Sequence, residues 1–134
     1  MQDADLHDFV TGLKEPRKAE TLALIDLYQQ VTGFQPRLWP ARIIGFGKYE
    51  YAYKSGRTGV SLATGFSPRS PEIVVYFMPQ LNTLETMLGD LGKHRAGKGC
   101  LYLRKFSDAN PEVLANLIRM GLDALNKEWP VQPN

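Results

Sequence analysis

The stretch Lys48-Tyr49-Glu50-Tyr51-Ala52-Tyr53-Lys54-Ser55-Gly56-Arg57, followed by Thr58-Gly59-Val60-Ser61-Leu62-Ala63-Thr64-Gly65-Phe66, decides the fold. Tyr49, Tyr51 and Tyr53 alternate with Lys48, Glu50, Ala52 and Lys54, and a period of two puts the three phenol rings on one face of a strand. Lys54-Ser55-Gly56-Arg57 reads as a turn, because Gly56 accepts a positive φ, and Gly59 to Phe66 returns as the partner strand. Ser67-Pro68-Arg69-Ser70-Pro71 makes a second turn. Glu72 to Met78 is then a run of β-branched and aromatic residues typical of a strand buried on both faces. The centre of the chain is an antiparallel meander of three or four strands.

Helices flank this meander. Leu6, Phe9, Val10 and Leu13 recur at helical spacing, with Asp3 or Asp5 placed to cap them. A second helix runs from about Pro16, a residue suited to the first helical position, to Thr32, with Leu22, Ile25 and Tyr28 on its apolar stripe and Gly33 closing it. Phe34 to Pro40 holds two prolines and reads as a connection whose Trp39 anchors into the core. Beyond the meander, Asn82 caps a short helix ending near Gly89, the loop Gly92 to Gly99 leads into a strand from Cys100 to Phe106, and Ser107 or Asn110 opens the last helix. Asn110 with Pro111 just inside is a cap signature, and Val113, Leu114, Leu117, Ile118, Leu122 and Leu125 form one apolar face that stops near Trp129. The expected class is α+β: a mainly antiparallel sheet of four to five strands with helices packed against it, in the order α-α-β-β-β-(β)-α-β-α.

At 134 residues, 43% of them hydrophobic and 22% charged, the chain has the size and composition of one packed domain, read as residues 1–129 with a tail at 130–134. A single Cys100 excludes an internal disulfide and favours a reducing compartment. Asp3, Asp5 and Asp8 stand where an export signal carries lysine or arginine, and the longest apolar run, Ile73 to Met78, is six residues. The expectation is a cytoplasmic protein with no membrane partner.

Charge is unevenly distributed. From Arg37 to Lys105 there are 11 basic and 4 acidic residues, a local net of +7, while the remainder has 5 basic and 10 acidic residues, a net of −5. Cations that converge on one sheet face or cleft concentrate anions there; cations spread over loops serve solubility alone. The loop Gly92-Lys93-His94-Arg95-Ala96-Gly97-Lys98-Gly99 has the glycine spacing and lysine of a phosphate loop. Gly99 replaces the required hydroxyl, however, and a helix precedes the loop where a strand should. The tyrosine ladder, with Phe46 and Phe66 near it, has the composition of a base-stacking platform, of a strand face packed on a helix, or of the wall of a small-ligand cleft. His7 and His94 have no evident carboxylate or cysteine companion for nucleophilic catalysis. Cys100 reads as a small buried hydrophobe, or as a reactive thiol if it is exposed beside His94, Arg95 and Lys98. Asp3, Asp5, His7 and Asp8 offer metal-ligand atoms, and helix capping accounts for the same residues.

The run Ile44 to Tyr53, then Ser55-Gly56-Arg57, Gly65-Phe66-Ser67-Pro68-Arg69, Leu91-Gly92-Lys93, Gly97 to Tyr102 and the C-terminal helix together resemble the YdhG-like domain-of-unknown-function family over nearly the whole chain. The chain has Trp39-Pro40 where that family commonly has Trp-Gly, and Ser70 where it commonly has lysine. The resemblance implies an α+β fold grouped with frataxin-like iron chaperones and no family-wide catalytic mechanism. Iron delivery calls for a ridge of carboxylates on a helix, and Glu15, Glu20 and Asp26 do not repeat as one.

The combined expectation is a non-enzymatic binding module with no cofactor, whose basic cleft takes a small anionic ligand or the acidic surface of a partner protein. Tyr49 and Tyr51 would form its wall, and Arg57, Arg69, Lys93 and Lys98 its charge. An iron chaperone is the alternative, and a single-stranded nucleic-acid binder stands third.

Overall fold

The computed structural model describes residues 4–52, 54–77, 88–97 and 99–133. The chain begins with helices α1 (Ala4–Thr11) and α2 (Arg17–Thr32), followed by strands β1 (Pro36–Trp39), β2 (Ile43–Ala52), β3 (Thr58–Ser67) and β4 (Ile73–Phe77). Strands β5 (Arg95–Ala96) and β6 (Cys100–Leu103) and helix α3 (Pro111–Glu128) complete it. Every strand pair is antiparallel, and the spatial order is β1-β2-β3-β4-β6-β5. The class is α+β, with six strands among the described residues where four to five were expected.

Alternation along the strands divides the sheet into two faces. Ile44 and Phe46 of β2, Phe66 of β3, Ile73, Val75 and Phe77 of β4, and Leu101 and Leu103 of β6 share one buried cluster with side chains from α1, α2 and α3. Leu6 and Val10 come from α1, Leu24, Ile25 and Tyr28 from α2, and Leu114, Leu117 and Ile118 from α3. Tyr28 joins the layers: its ring stacks on Phe46 at 4.8 Å and Phe66 at 5.4 Å, and its hydroxyl donates to the Gly65 carbonyl at 3.2 Å. The hydroxyl satisfies a polar group that burial would otherwise leave costly, and the same burial pushes the Tyr28 phenol pKa up.

Three local expectations change. Phe34 to Pro40 is not a plain connection, because Pro36–Trp39 pairs with β2 from Trp39↔Ile43 to Pro36↔Phe46. Pro36 is tolerated because it opens an edge strand, where a missing N–H breaks no ladder. Trp39 therefore leaves the core and lies on the sheet face away from the helices. The strand expected from Cys100 to Phe106 stops at Leu103, and Phe106–Asp108 forms a 3-10 turn. Pro16 sits just outside α2, which begins at Arg17. The helix expected from Asn82 to Gly89 lies outside the described residues except for its last two positions.

The C-terminal tail folds back onto the sheet. Lys48 and Gln132 exchange backbone hydrogen bonds of 2.8 Å, so the tail covers the edge of β2 just beyond β1. At the other end of α3, Asn110 accepts from the Glu112 and Val113 amides at 3.0 and 3.4 Å. Asn110→Ala leaves those helix donors unpaired and is expected to cost about 1 kcal/mol, read as a lower urea midpoint at unchanged slope.

Candidate functional site

The sheet face opposite the helices holds the side chains that chemistry can use. On β1, Arg37 opposes Gly45 and Trp39 opposes Ile43; on β4 and β6, Val74 opposes Tyr102 and Tyr76 opposes Cys100. These residues alternate with those buried under the helices, so they occupy the other face. No helix among the described residues contributes to that side; the helices share the single core cluster described above.

Glycines build its floor. Gly45 pairs with Gly65, and a side chain at Gly45 would strike the Trp39 indole at 2.6 Å and Leu62 Cβ at 2.9 Å. A side chain at Gly65 would meet the Ile44 carbonyl oxygen and Leu62 Cδ1. Two residues without side chains thus let Trp39 and Leu62 lie flat across the sheet. The Trp39 Nε1 is buried and has no hydrogen-bond partner among the described residues.

Arginines stand beside the aromatic rings. The Arg37 guanidinium lies 5.3 Å from the Trp39 ring centroid, and that of Arg95 lies 4.0 Å over Tyr102. Both are within the range at which a cation is drawn to a ring face. Burial pushes the Tyr76 phenol pKa up, against the opposing field of Arg69. Arg95 also donates to Glu72 at 2.8 Å with its own side chain 62% exposed. Its hydrogen bond holds the Glu72 carboxyl below the usual range, with the charges of Arg95 and Arg104 adding to the effect. A depressed folded-state pKa stabilises above the unfolded value, and that contribution is lost as pH falls through the folded one. Arg95→Ala is expected to return the Glu72 titration upward, measured by carboxyl-carbon NMR; an unmoved titration would show that the ion pair does not persist in solution.

Arg69 has a structural task as well. Ala41 and Arg42 take positive φ values of 65° and 59°, a region in which side chains are strained. Ser67 Oγ donates to the Arg42 carbonyl at 2.9 Å, while Arg69 donates from Nη2 to the Ala41 carbonyl at 3.4 Å and from Nε to Ser67 Oγ at 3.3 Å. The Ser67-Pro68-Arg69 segment therefore holds the turn that presents Trp39.

The residues expected to form one cleft are spread over the sheet. Tyr49 and Tyr51 are neighbours, with ring centroids 6.0 Å apart, and Tyr51 lines a hollow of about 260 Å³ at the end of the β2–β3 hairpin. Arg57 is exposed in that hairpin's turn. Arg69 follows the far end of β3, ten residues away, which is about 30 Å of extended chain. Lys93 lines a hollow of about 170 Å³ with His94, Arg95, Tyr102 and Arg104 near the Arg69 end. Lys98, like Tyr53, lies outside the described residues. Cys100 is partly exposed on the open face opposite Tyr76. Among the described residues, no three His, Cys, Asp or Glu side chains form a group able to hold a metal ion.

Arg37, Trp39, Tyr76, Arg95 and Tyr102 were not singled out for this role from sequence. The available signal was weak: Arg37 and Trp39 stand two apart between prolines, and Tyr76 and Tyr102 meet only through strand pairing. No helix among the described residues is long and apolar enough to cross a membrane. No family model, curated protein or solved structure matches the chain.

Proposed function

We propose that the chain is a binding module that docks the acidic surface of a partner protein on the open face of its sheet. One observation carries this reading: Arg37 stands beside Trp39 at one edge of the sheet and Arg95 beside Tyr102 at the other, on a face that no described helix covers. Tryptophan, tyrosine and arginine are the residues that dominate interface energetics, since each combines a large contact area with a polar or charged end. At the Arg95 end the hollow is lined by Lys93, Arg95 and Arg104 against Glu72 and Asp108, so the local net charge is positive.

A broad face fits a macromolecular surface better than a small anion, because small ligands need a concave site that covers most of them. Of the expected cleft residues, Arg69 is at the edge of this face and Lys93 is close to its Arg95 end, whereas Arg57 is at the opposite end of β3. The iron and nucleic-acid alternatives enter as arms of one experiment. Fluorescence anisotropy or calorimetry would compare poly-glutamate, inorganic phosphate, a single-stranded oligonucleotide and ferrous or ferric iron as probes. The reading expects poly-glutamate to bind with strong salt dependence and phosphate not to compete at millimolar concentration. Preference for the oligonucleotide or for iron would replace it.

A further inference from the structure

Two hollows outside the open face meet at the junction of the α1–α2 loop with the segment joining β6 to α3. The first, about 510 Å³, is lined on its basic side by Lys14, Arg17, Arg104 and Lys105. The second, about 630 Å³, is lined by Ala19 and Ala23 of α2 and by Phe106, Ala109 and Pro111. Pro16, Glu20 and Lys105 border both, so the two form one continuous groove with a cationic half and an apolar half.

Of the two carboxylates in this groove, Glu20 is paired with Arg17, whereas Glu15 keeps its charge and is outnumbered by the lysines and Arg104. Glu20 accepts from Arg17 Nη1 at 3.0 Å and from the Phe106 amide at 2.6 Å, and Glu15 accepts from the Ala19 amide at 2.8 Å. Arg17 is fixed in turn, donating to the Arg104 and Pro71 carbonyls at 3.3 Å. The ion pairs among the described residues are Arg17–Glu20 and Arg95–Glu72, so Lys14, Arg104 and Lys105 enter none. Their charge is therefore available to a ligand. In the apolar half, Ala19 and Ala23 sit one helical turn apart and are exposed, so a chain can approach the helix backbone closely.

We infer that this groove binds a linear peptide segment of a partner in which acidic residues adjoin apolar ones. Charge complementarity fixes the acidic end at Lys14, Arg104 and Lys105, and the apolar end follows α2 past Ala23. A peptide fits better than a small amphiphile because the two hollows adjoin along the surface and Pro16, Ala19, Ala23 and Pro111 on them are exposed, which suits an extended ligand. Arg104 borders both this groove and the hollow beside Arg95, but Lys14, Lys105 and Ala23 belong to the groove alone and Arg37 and Arg95 to the sheet face, so either reading can fail alone.

The test uses the full chain and a fluorescein-labelled degenerate hexapeptide pool, two Asp/Glu positions followed by four drawn from Leu, Ile, Val and Phe. The same pool headed by lysines is the control. The acidic pool is expected to bind at least 10-fold more tightly than the lysine pool. Lys14→Glu with Lys105→Glu, and separately Ala23→Arg, are each expected to weaken it at least 10-fold, with thermal midpoints close to the parent. Arg37→Glu with Arg95→Glu is expected to leave this binding within about 3-fold. Equal binding of both pools overturns the proposal, as does indifference to the groove variants in correctly folded protein. Loss confined to the sheet-face variant would move the peptide to that face, and groove-dependent binding of phosphatidylglycerol vesicles without peptide binding would make the ligand a lipid surface; both outcomes overturn the proposal.

Discussion

Gly92→Ala is expected to destabilise the protein by about 3 kcal/mol, a large fraction of what a domain of this size has to lose. Gly92 has φ +115°, where residues with side chains are strained, and a Cβ there would overlap the Asp108 carbonyl oxygen. That oxygen belongs to the backbone and cannot rotate aside. The neighbouring Asn110 amide donates to the Leu91 carbonyl at 2.6 Å, and Leu91 is fully buried, so displacing the loop also loosens the start of α3. Strain of about 1–3 kcal/mol and a weakened hydrogen bond of about 1 kcal/mol together make up the figure. Gly89→Ala is the control, since a Cβ there meets nothing within 4 Å. Urea unfolding of the two variants should differ by at least about 2 kcal/mol, and near-equal midpoints would contradict the close approach of Gly92 to Asp108.

The second large effect concerns binding. Reversing an exposed charge turns an attraction into a repulsion, worth about 1–2 kcal/mol at each contact with an acidic surface. Arg37→Glu with Arg95→Glu is therefore expected to weaken poly-glutamate binding about 100-fold and to flatten its salt dependence. Lys54→Glu with Arg57→Glu changes the net charge equally but acts at the far end of the β2–β3 hairpin. Its expected effect is less than about 3-fold. Equal losses in both variants would reduce the attraction to net charge, and loss only in the hairpin variant would place binding beside Tyr51. The Ala41–Arg42 turn retains its links to Ser67 and Arg69 in both, so presentation of Trp39 is unaltered.

Much of the architecture was legible from neighbours in the chain. The β2–β3 hairpin follows from period-two alternation interrupted by a glycine turn, and α3 from an asparagine cap with six apolar residues at helical spacing. Edge strands were harder to read. Pro36–Trp39 carries proline and tryptophan, and Arg95–Ala96 is two residues long, so each exists only because a neighbouring strand supplies its hydrogen bonds.

The amino-acid order by itself determined that the chain makes an α+β domain and that its middle portion is strongly cationic, because periodicity, capping and charge are properties of residues and their near neighbours. Only the tertiary structure decided where those cations stand. Successive turns of a meander fall at opposite ends of the sheet, which parts Arg57 from Arg69 although they are close in sequence. Strand pairing then sets Arg37 beside Trp39 and Arg95 beside Tyr102 on one face. Contacts across a sheet depend on register and on which face the helices cover, and neither is encoded within a local window.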